Sequence, residues 1–346
     1  SPIAGLDLGR LPPVECAFGY GSGVFTQAGY DGKPRPMVDL VLVVRDRDVG
    51  AWHTENLRLH PEHYAGLLRT LGPSAVVALQ RWGPGLYYNP HVRLPSIGSG
   101  EIEVKYGIMS VEALLQDLTQ WRWLYMAGRM HKPFVFDWRS QDVELRNVVV
   151  SAAASNRRAA LSAALLLSSH HGTTNELRWE LAALLDVLVR LSYDGDVRVG
   201  VGESPKKVQN IVNAQFGELW SIYRPIAEDL GVSVDATPPG GTPLPASDAP
   251  ISLRTEPEHA EKSDRFVARM RQRFFEELPT EVQELAAAVA GPRGKPPWTP
   301  EALKVALRQT VRHSSWQQTL KGAATAGLVR GSRYALAKVG KRFGFR

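Results

Sequence analysis

Cysteine is almost missing from this chain. Cys16 stands alone among 346 residues, which excludes an intrachain disulfide and a thiolate metal cluster and fits a reducing compartment. Long apolar runs are missing too. The longest, Ala159 to Leu167, follows Arg157 and Arg158 and falls short of the roughly 18 residues that a membrane span needs. No secretory signal opens the sequence. Nine histidines are present, yet none shows a zinc-ligand spacing such as His-Glu-x-x-His, and His170-His171 reads as a polar loop pair. Acids are scarce at the C-terminal end. From Pro292 to Arg346, 12 Lys/Arg face Glu301 alone, while the rest of the chain carries a net charge of −5. A mildly acidic body with a strongly basic tail points to an anionic partner surface, either nucleic acid or lipid headgroups.

What is present is organised around Phe18-Gly19-Tyr20-Gly21-Ser22-Gly23-Val24-Phe25 and the strand-like Met37-Val38-Asp39-Leu40-Val41-Leu42-Val43-Val44. Glycine lets the backbone bend through φ > 0, so successive N–H groups can face an anion. A Gly-Ser turn, a spacer and an Asp-bearing strand is how nucleotidyltransferases of the polymerase-β-like superfamily are built. There the turn holds a triphosphate and the aspartate holds Mg²⁺. Taken alone, the Gly-Ser-Gly is equally a tight β-turn.

The length implies two or three domains. Residues 1–146 alternate strands and helices, an α/β unit. Pro61 opens a helix that Gly72-Pro73 stops near Leu71. Glu101 to Gly107 alternates as a strand, with Glu101, Glu103 and Lys105 on one face. Ser110 caps a long helix carrying Val111, Leu114, Leu115, Leu118, Trp121, Leu124 and Tyr125. Residues 147–236 read as a second, helical domain, with helices over Ala152–Leu167 and Glu176–Leu191. Residues 237–264, rich in Pro, Gly, Ser and acids, read as a linker or a lid. Residues 265–346 are helical and basic. On a helical wheel Leu328, Val329, Leu336, Val339 and Phe343 lie opposite Arg330, Arg333, Lys338, Lys341 and Arg342. That suits a helix in an anionic bilayer interface, or one packing its apolar side on the body.

The chain resembles the mitochondrial-type CDP-diacylglycerol synthases, also called translocator assembly and maintenance proteins. The matching stretches run in order over about nine tenths of it. They include Gly21-Ser22-Gly23-Val24-Phe25, Met37-Val38-Asp39, Trp52-His53 with Asn56, His63-Tyr64 and Tyr88-Asn89-Pro90. Further on come Lys105-Tyr106-Gly107, Ala127 to Pro133, Ser192 to Arg198, Lys207 to Val212 and Leu320-Lys321-Gly322. The resemblance implies a CTP:phosphatidate cytidylyltransferase with a nucleotidyltransferase domain, a winged-helix-like helical domain and a membrane-associating C-terminus. The absence of a transit peptide from the sequence as it stands points to a bacterial member or to a trimmed chain. The expected place is the cytoplasmic face of the membrane for a bacterial member and the matrix face of the inner membrane for mitochondrial relatives. The resemblance also implies Mg²⁺, CTP and phosphatidic acid, an anionic membrane surface and no nucleic acid; a homo-oligomer is compatible with it. It places Gly21, Ser22, Gly23, Asn89 and Tyr106 at CTP.

In such a reaction the nucleophile is a phosphate oxygen already ionised at neutral pH, so no general base is needed. Positioning and charge cancellation between two anions are needed instead. Asp39 is the candidate metal ligand and Lys105 the candidate phosphate contact. A second carboxylate two residues on would complete the usual pattern, but Val41 stands there. Asp46, Asp48, Glu101, Glu103 or Asp117 remain to complete the metal shell, with Glu103 and Glu101 best placed by strand parity. Arg129 and Lys132, at a helix end, and Asp196, Arg198 and Lys207, on the second domain, are candidate contacts to phosphate or lipid headgroup. Two rivals stand: a nucleotidyltransferase acting on RNA or another nucleotide acceptor, and a non-enzymatic membrane scaffold. The tail's apolar face has no use on a polynucleotide, and the Asp39 pattern has none in a scaffold.

Overall fold

The computed structural model describes residues 3, 5–25, 36–97, 100–171, 177–199, 206–234, 251–255, 264–291 and 296–343, with backbone alone at 170–171 and 323–343. In chain order the first part holds β1 (Cys16–Tyr20), β2 (Val38–Val44), α1 (Val49–Leu59), α2 (Gly66–Leu71), α3 (Pro73–Arg81), β3 (Leu86–Pro95), β4 (Glu101–Ser110), α4 (Val111–Gln120), α5 (Met126–Met130) and β5 (Phe134–Trp138). Five strands make one sheet in the order β3-β4-β2-β1-β5. β2 and β4 run parallel and the other pairs antiparallel.

Alternation decides what each side of this sheet meets. Phe18, Tyr20, Val41, Val43, Leu86 and Met109 face the helices that follow and join their core. Ala17, Leu40, Leu42, Val104, Tyr106 and Ile108 face the other way, onto Trp52 and the N-terminal Ile3, Leu6 and Leu8. Covered on both sides, β2 is apolar at nearly every position, as a central strand must be. Asp39 is its polar exception.

The second part holds α6 (Val143–Ser168), β6 (His170–His171), β7 (Leu177–Glu180), α7 (Leu181–Arg190), α8 (Lys207–Asp229), β8 (Val232–Val234), β9 (Ser252–Thr255), α9 (Asp264–Glu276), α10 (Thr280–Ala290) and α11 (Pro300–Phe343). A second sheet, in the order β6-β7-β9-β8, joins these helices. The molecule is therefore mixed α/β throughout its described residues. The apolar core does not break at residue 146, because α6 begins at Val143 and packs on the first sheet's helical side.

Three local expectations change. The helix starting at Ser110, whose Oγ accepts from Ala113 N at 3.2 Å, ends at Gln120. Trp121 and Leu124 then take positive φ of 54° and 48°. Trp121, Leu124 and Tyr125 are buried as expected, but from a turn rather than from a helix face. Of the expected helix Glu176–Leu191, Leu177–Glu180 is a strand, since Trp179 and Leu177 alternate into the core while Arg178 and Glu180 point out, and the helix starts at Leu181. Pro61 begins a single 3-10 turn, Pro61–His63, and the helix proper starts at Gly66. Within 237–264, Ser252–Thr255 is a strand paired on both sides; most of that segment lies outside the described residues. The C-terminal face Leu328 to Phe343 lies on α11, where only backbone is described.

Candidate active site

The Gly-Ser-Gly segment follows β1 directly, and the register Tyr20↔Asp39 sets it beside the start of β2. Gly21 O accepts from Val24 N at 3.1 Å and from Phe25 N at 2.9 Å, closing the turn. Gly21 has φ +76°, and a Cβ there would lie 3.4 Å from Asp39 Oδ2. At Gly23 a Cβ would collide with the Met37 carbonyl and Val38 Cα. Both glycines are thus required by geometry, one for its dihedral and one for space.

Asp39 is partly open, with 26% of its side chain exposed, and its Oδ1 accepts from Lys105 Nζ at 3.3 Å. The pair follows from parallel register, in which Asp39 lies beside Lys105. Lys105 Nζ also sits 4.0 Å above the centre of the Tyr88 ring, and the Tyr88 and Tyr20 hydroxyls lie 2.8 Å apart. Arg129, from α5, stacks 3.8 Å from the Tyr125 ring centre and lies 5.6 Å from that of Tyr20. Its Nε is buried without a hydrogen-bond partner. Lys132 and Lys207 flank the Tyr193 ring at 5.2 and 5.6 Å. Lys132 Nζ donates to the Gly128 carbonyl and to Ser192 Oγ. Burial, and then the charges of Arg129 and Lys207, push its pKa well below the lysine range. Beyond Arg129 comes the Arg198–Asp196 pair at 2.6 Å. Burial raises the Asp196 pKa, and its bonds to Arg198 more than offset that, so it stays ionised. Among the described residues five cations thus converge on two carboxylates. An arriving anion relieves their mutual repulsion, and the tyrosine rings offer flat walls beside it.

The backbone that carries Arg129 is held from behind. Asp117, wholly buried, accepts from Trp123 N at 3.0 Å through Oδ1. Its Oδ2 accepts from Tyr125, Met126 and Ala127 N at 3.0, 2.6 and 3.0 Å. This anchor explains why the chain turns after Gln120. Asn156 Oδ1 accepts from Trp121 Nε1 at 2.7 Å, and Asn156 Nδ2 donates to Ala127 O at 3.0 Å. Burial, and then the charge of Lys132, lowers the pKa of His131 to about 3; its neutral ring bonds Asn156 Oδ1 through Nε2 at 3.1 Å. A Cβ on Gly128 would collide with Ser192, so this glycine admits the loop that brings Tyr193, Asp196 and Arg198.

The structure thus brings together Gly21, Ser22, Gly23, Asp39, Lys105, Arg129, Lys132, Asp196, Arg198 and Lys207. It does not bring Asn89 and Tyr106 to them. Both lie on the other side of the sheet, fully buried, and the Tyr106 hydroxyl is engaged by Asn56 Nδ2 at 3.0 Å and His63 Nδ1 at 2.7 Å. Of the residues considered for the metal shell, Asp117 is spent on backbone amides. Asp46 accepts from Glu112 N past the far end of β2, some 20 Å of strand from Asp39. Glu103 pairs with His91 at 2.7 Å and Glu101 with Arg93 at 3.9 Å, further along β4 than Lys105. The tyrosines at 20, 88, 125 and 193 were not singled out as site residues. Their sequence signal is weak: Tyr20 adjoins Gly21, but Tyr88, Tyr125 and Tyr193 have no glycine or cation of the site beside them.

Residues 8–341 match the family described as phosphatidate cytidylyltransferase, mitochondrial. A protein of that name from Drosophila melanogaster is 35% identical, with 96% of each chain covered. One from Xenopus laevis is 33% identical, covering 95% of this chain and 90% of its own. One from Schizosaccharomyces pombe is 37% identical over 62% of this chain and half of its own. The chain belongs to the mitochondrial-type phosphatidate cytidylyltransferase family.

Proposed function

We propose that this chain transfers the cytidylyl group of CTP to phosphatidic acid. A phosphate oxygen of the lipid forms a bond to the α-phosphorus of CTP, the bond from that phosphorus to the bridging oxygen of the β-phosphate breaks, and pyrophosphate leaves. The observation that carries the reading is the Asp39–Lys105 pair beside the Gly21 turn, facing the cation cluster of Arg129, Lys132, Arg198 and Lys207. A reaction between two phosphates needs this: one anchored triphosphate and a second, cationic seat for the attacking anion.

The turn's amides receive the triphosphate, with Ser22 adding its hydroxyl. Lys105 bridges Asp39 and a phosphate oxygen. Arg129 and Lys132 hold the phosphatidate headgroup in line, and Arg198, fixed by Asp196, closes the seat. A single half-open carboxylate fits Mg²⁺, which takes one or two carboxylates and completes its shell with water and substrate phosphates. Asp39 would hold the ion, which when bound cancels charge on the triphosphate. The test supplies CTP radiolabelled at its α-phosphate together with phosphatidic acid. Label entering the chloroform phase is the expected result. Label left in water, or entering RNA offered as acceptor, would overturn the assignment.

The same reading places the enzyme on an anionic membrane surface. Among the described residues no helix is long and apolar enough to cross a membrane. α11, 44 residues long, spans the basic stretch whose sequence pattern sets its cations opposite Leu328, Leu336 and Phe343 on a helical wheel. Truncation before Ala323 should release the protein from phosphatidic-acid vesicles, with weaker loss of activity on a short-chain, soluble phosphatidate. A truncated protein that still floats with vesicles would end this part of the reading.

A further inference from the structure

On the side of the sheet away from Asp39, α1 ends in a tight cluster. His60 leaves the helix with φ −137°, and the 3-10 turn that follows returns His63 beside it. His60 Nδ1 lies 3.6 Å from Glu62 Oε1, and His63 Nε2 lies 3.7 Å from the same oxygen. All three donor atoms fall within 4.8 Å of one another. We propose that His60, Glu62 and His63 form a transition-metal site, best suited to zinc.

Three features of the geometry support it. Ligands of a tetrahedral zinc at about 2.0–2.1 Å stand about 3.3 Å apart, so the two histidine–glutamate spacings need to close by only a few tenths of an ångström, while the two ring nitrogens lie within 4.8 Å of each other. Two imidazoles and one carboxylate suit zinc rather than magnesium, which prefers oxygen. The outer nitrogen of each ring is already held, as second partners of metal ligands are. His60 Nε2 donates to the Arg10 carbonyl at 2.8 Å, which leaves its Nδ1 lone pair toward Glu62. His63 Nδ1 meets the Tyr106 hydroxyl at 2.7 Å; with Nδ1–H donating there, the Nε2 lone pair also turns to Glu62. The two rings are stacked, with centroids 4.7 Å apart, and an ion lies near the plane of each imidazole that binds it. Seating the ion therefore tilts the rings apart. Glu62 is exposed and His63 buried, so the ion would enter from solvent and leave one coordination position to water. It would pin α1 to the Arg10 segment and to β4 through Tyr106. No part in the cytidylyl chemistry follows from it.

The experiment uses the full chain after chelator treatment, titrated with zinc chloride by calorimetry and with cobalt(II) by visible absorption. Saturable binding of one zinc ion, with a cobalt spectrum of tetrahedral intensity and a rise in thermal midpoint on adding zinc, is expected. His60→Ala and Glu62→Gln, both at solvent-reachable positions, should each weaken binding about tenfold or more and lose the thermal response while keeping the metal-free midpoint. Asp39→Asn should bind zinc like the wild type. Absence of saturable binding would overturn the proposal. So would binding that either cluster variant leaves unchanged, or that Asp39→Asn abolishes.

Discussion

Lys105 and Tyr106 are neighbours on one strand, and their surroundings are opposites. On the Lys105 side, charged groups outnumber their partners. Asp39 and Asp196 answer five cations, Arg129 keeps a buried Nε unpaired, and burial together with two like charges lowers the pKa of Lys132. On the Tyr106 side the polar groups are neutral and most bond one another, although Asn56 Oδ1 and the Asn89 amide are buried without a hydrogen-bond partner. His53 bonds the Tyr64 hydroxyl at 2.9 Å and Gln80 Oε1 at 2.7 Å, and Asn56 Nδ2 donates to the hydroxyls of Tyr64 and Tyr106. Burial lowers the His53 pKa to about 4, so its ring is uncharged at neutral pH. A side that lacks anions is built to receive one; a buried side whose polar groups are neutral and mostly bonded to one another is built to hold shape. The contrast separates binding from stability across a single sheet.

The sharpest way to break this comparison is Asp39→Asn. The change keeps the shape and removes the charge opposite Lys105. Turnover should fall about a hundred- to a thousandfold, with the thermal midpoint held or slightly lowered, because a partly exposed carboxylate contributes little to folding. Near-normal turnover at saturating Mg²⁺ would remove Asp39 from the chemistry.

Asn56→Ala tests the other side. It takes one donor from each of two buried hydroxyls and leaves a small cavity. A loss of about 2–3 kcal/mol in unfolding free energy is expected, with turnover per folded molecule nearly unchanged. A selective fall in turnover would show that the Tyr106 side takes part in catalysis.

At the turn the expected effects are ordered by geometry. Gly23→Val meets the Met37 backbone, and Gly21→Val is forced into φ +76°, so both should lose most activity and some stability. Ser22→Ala removes one hydroxyl and should raise the KM for CTP by an amount worth about 1–2 kcal/mol. If all three changes cost the same, the loop binds through the serine alone.

How much of this was legible beforehand follows the same division. The turn and Asp39 could be read because local glycine geometry and one strand carry them. Ser110 as a cap, and Lys105 on a polar strand face, were legible for similar reasons. The cations were legible as candidate anion contacts, but not as one cluster. Arg129 and Lys132 stand close together in sequence, but Arg198 and Lys207 come much later, and the close passage of Ser192 over Gly128 makes the two pairs neighbours. Asn89 and Tyr106 were misplaced because adjacency to Tyr88 and Lys105 along the chain means opposite sides of a strand. Asp117 looked like a free carboxylate because nothing local shows that the next ten residues fold back onto it. The second sheet escaped notice because its strands are two to four residues long and carry too little alternation to register.

Lys321 offers the finest test, because it places one cation behind the neutral side. It is buried, and its Nζ donates to the carbonyls of Gln80 at 3.0 Å and Leu86 at 3.3 Å. Through Gln80 it adjoins His53, which carries no charge to answer it. Burial pushes its pKa down from 10.5 to about 7. Below the folded value the ammonium is charged in both states and its desolvation penalty is fully present. Between the folded and the unfolded values the unfolded chain binds more protons, so stability rises with pH. From about pH 7 to about pH 9 the intact protein should therefore gain on the order of 1–2 kcal/mol relative to Lys321→Met. Chemical denaturation of both proteins across that range measures the difference. Parallel pH slopes would mean that the ammonium keeps its water, and that α11 does not close over the neutral side as tightly as its contacts indicate.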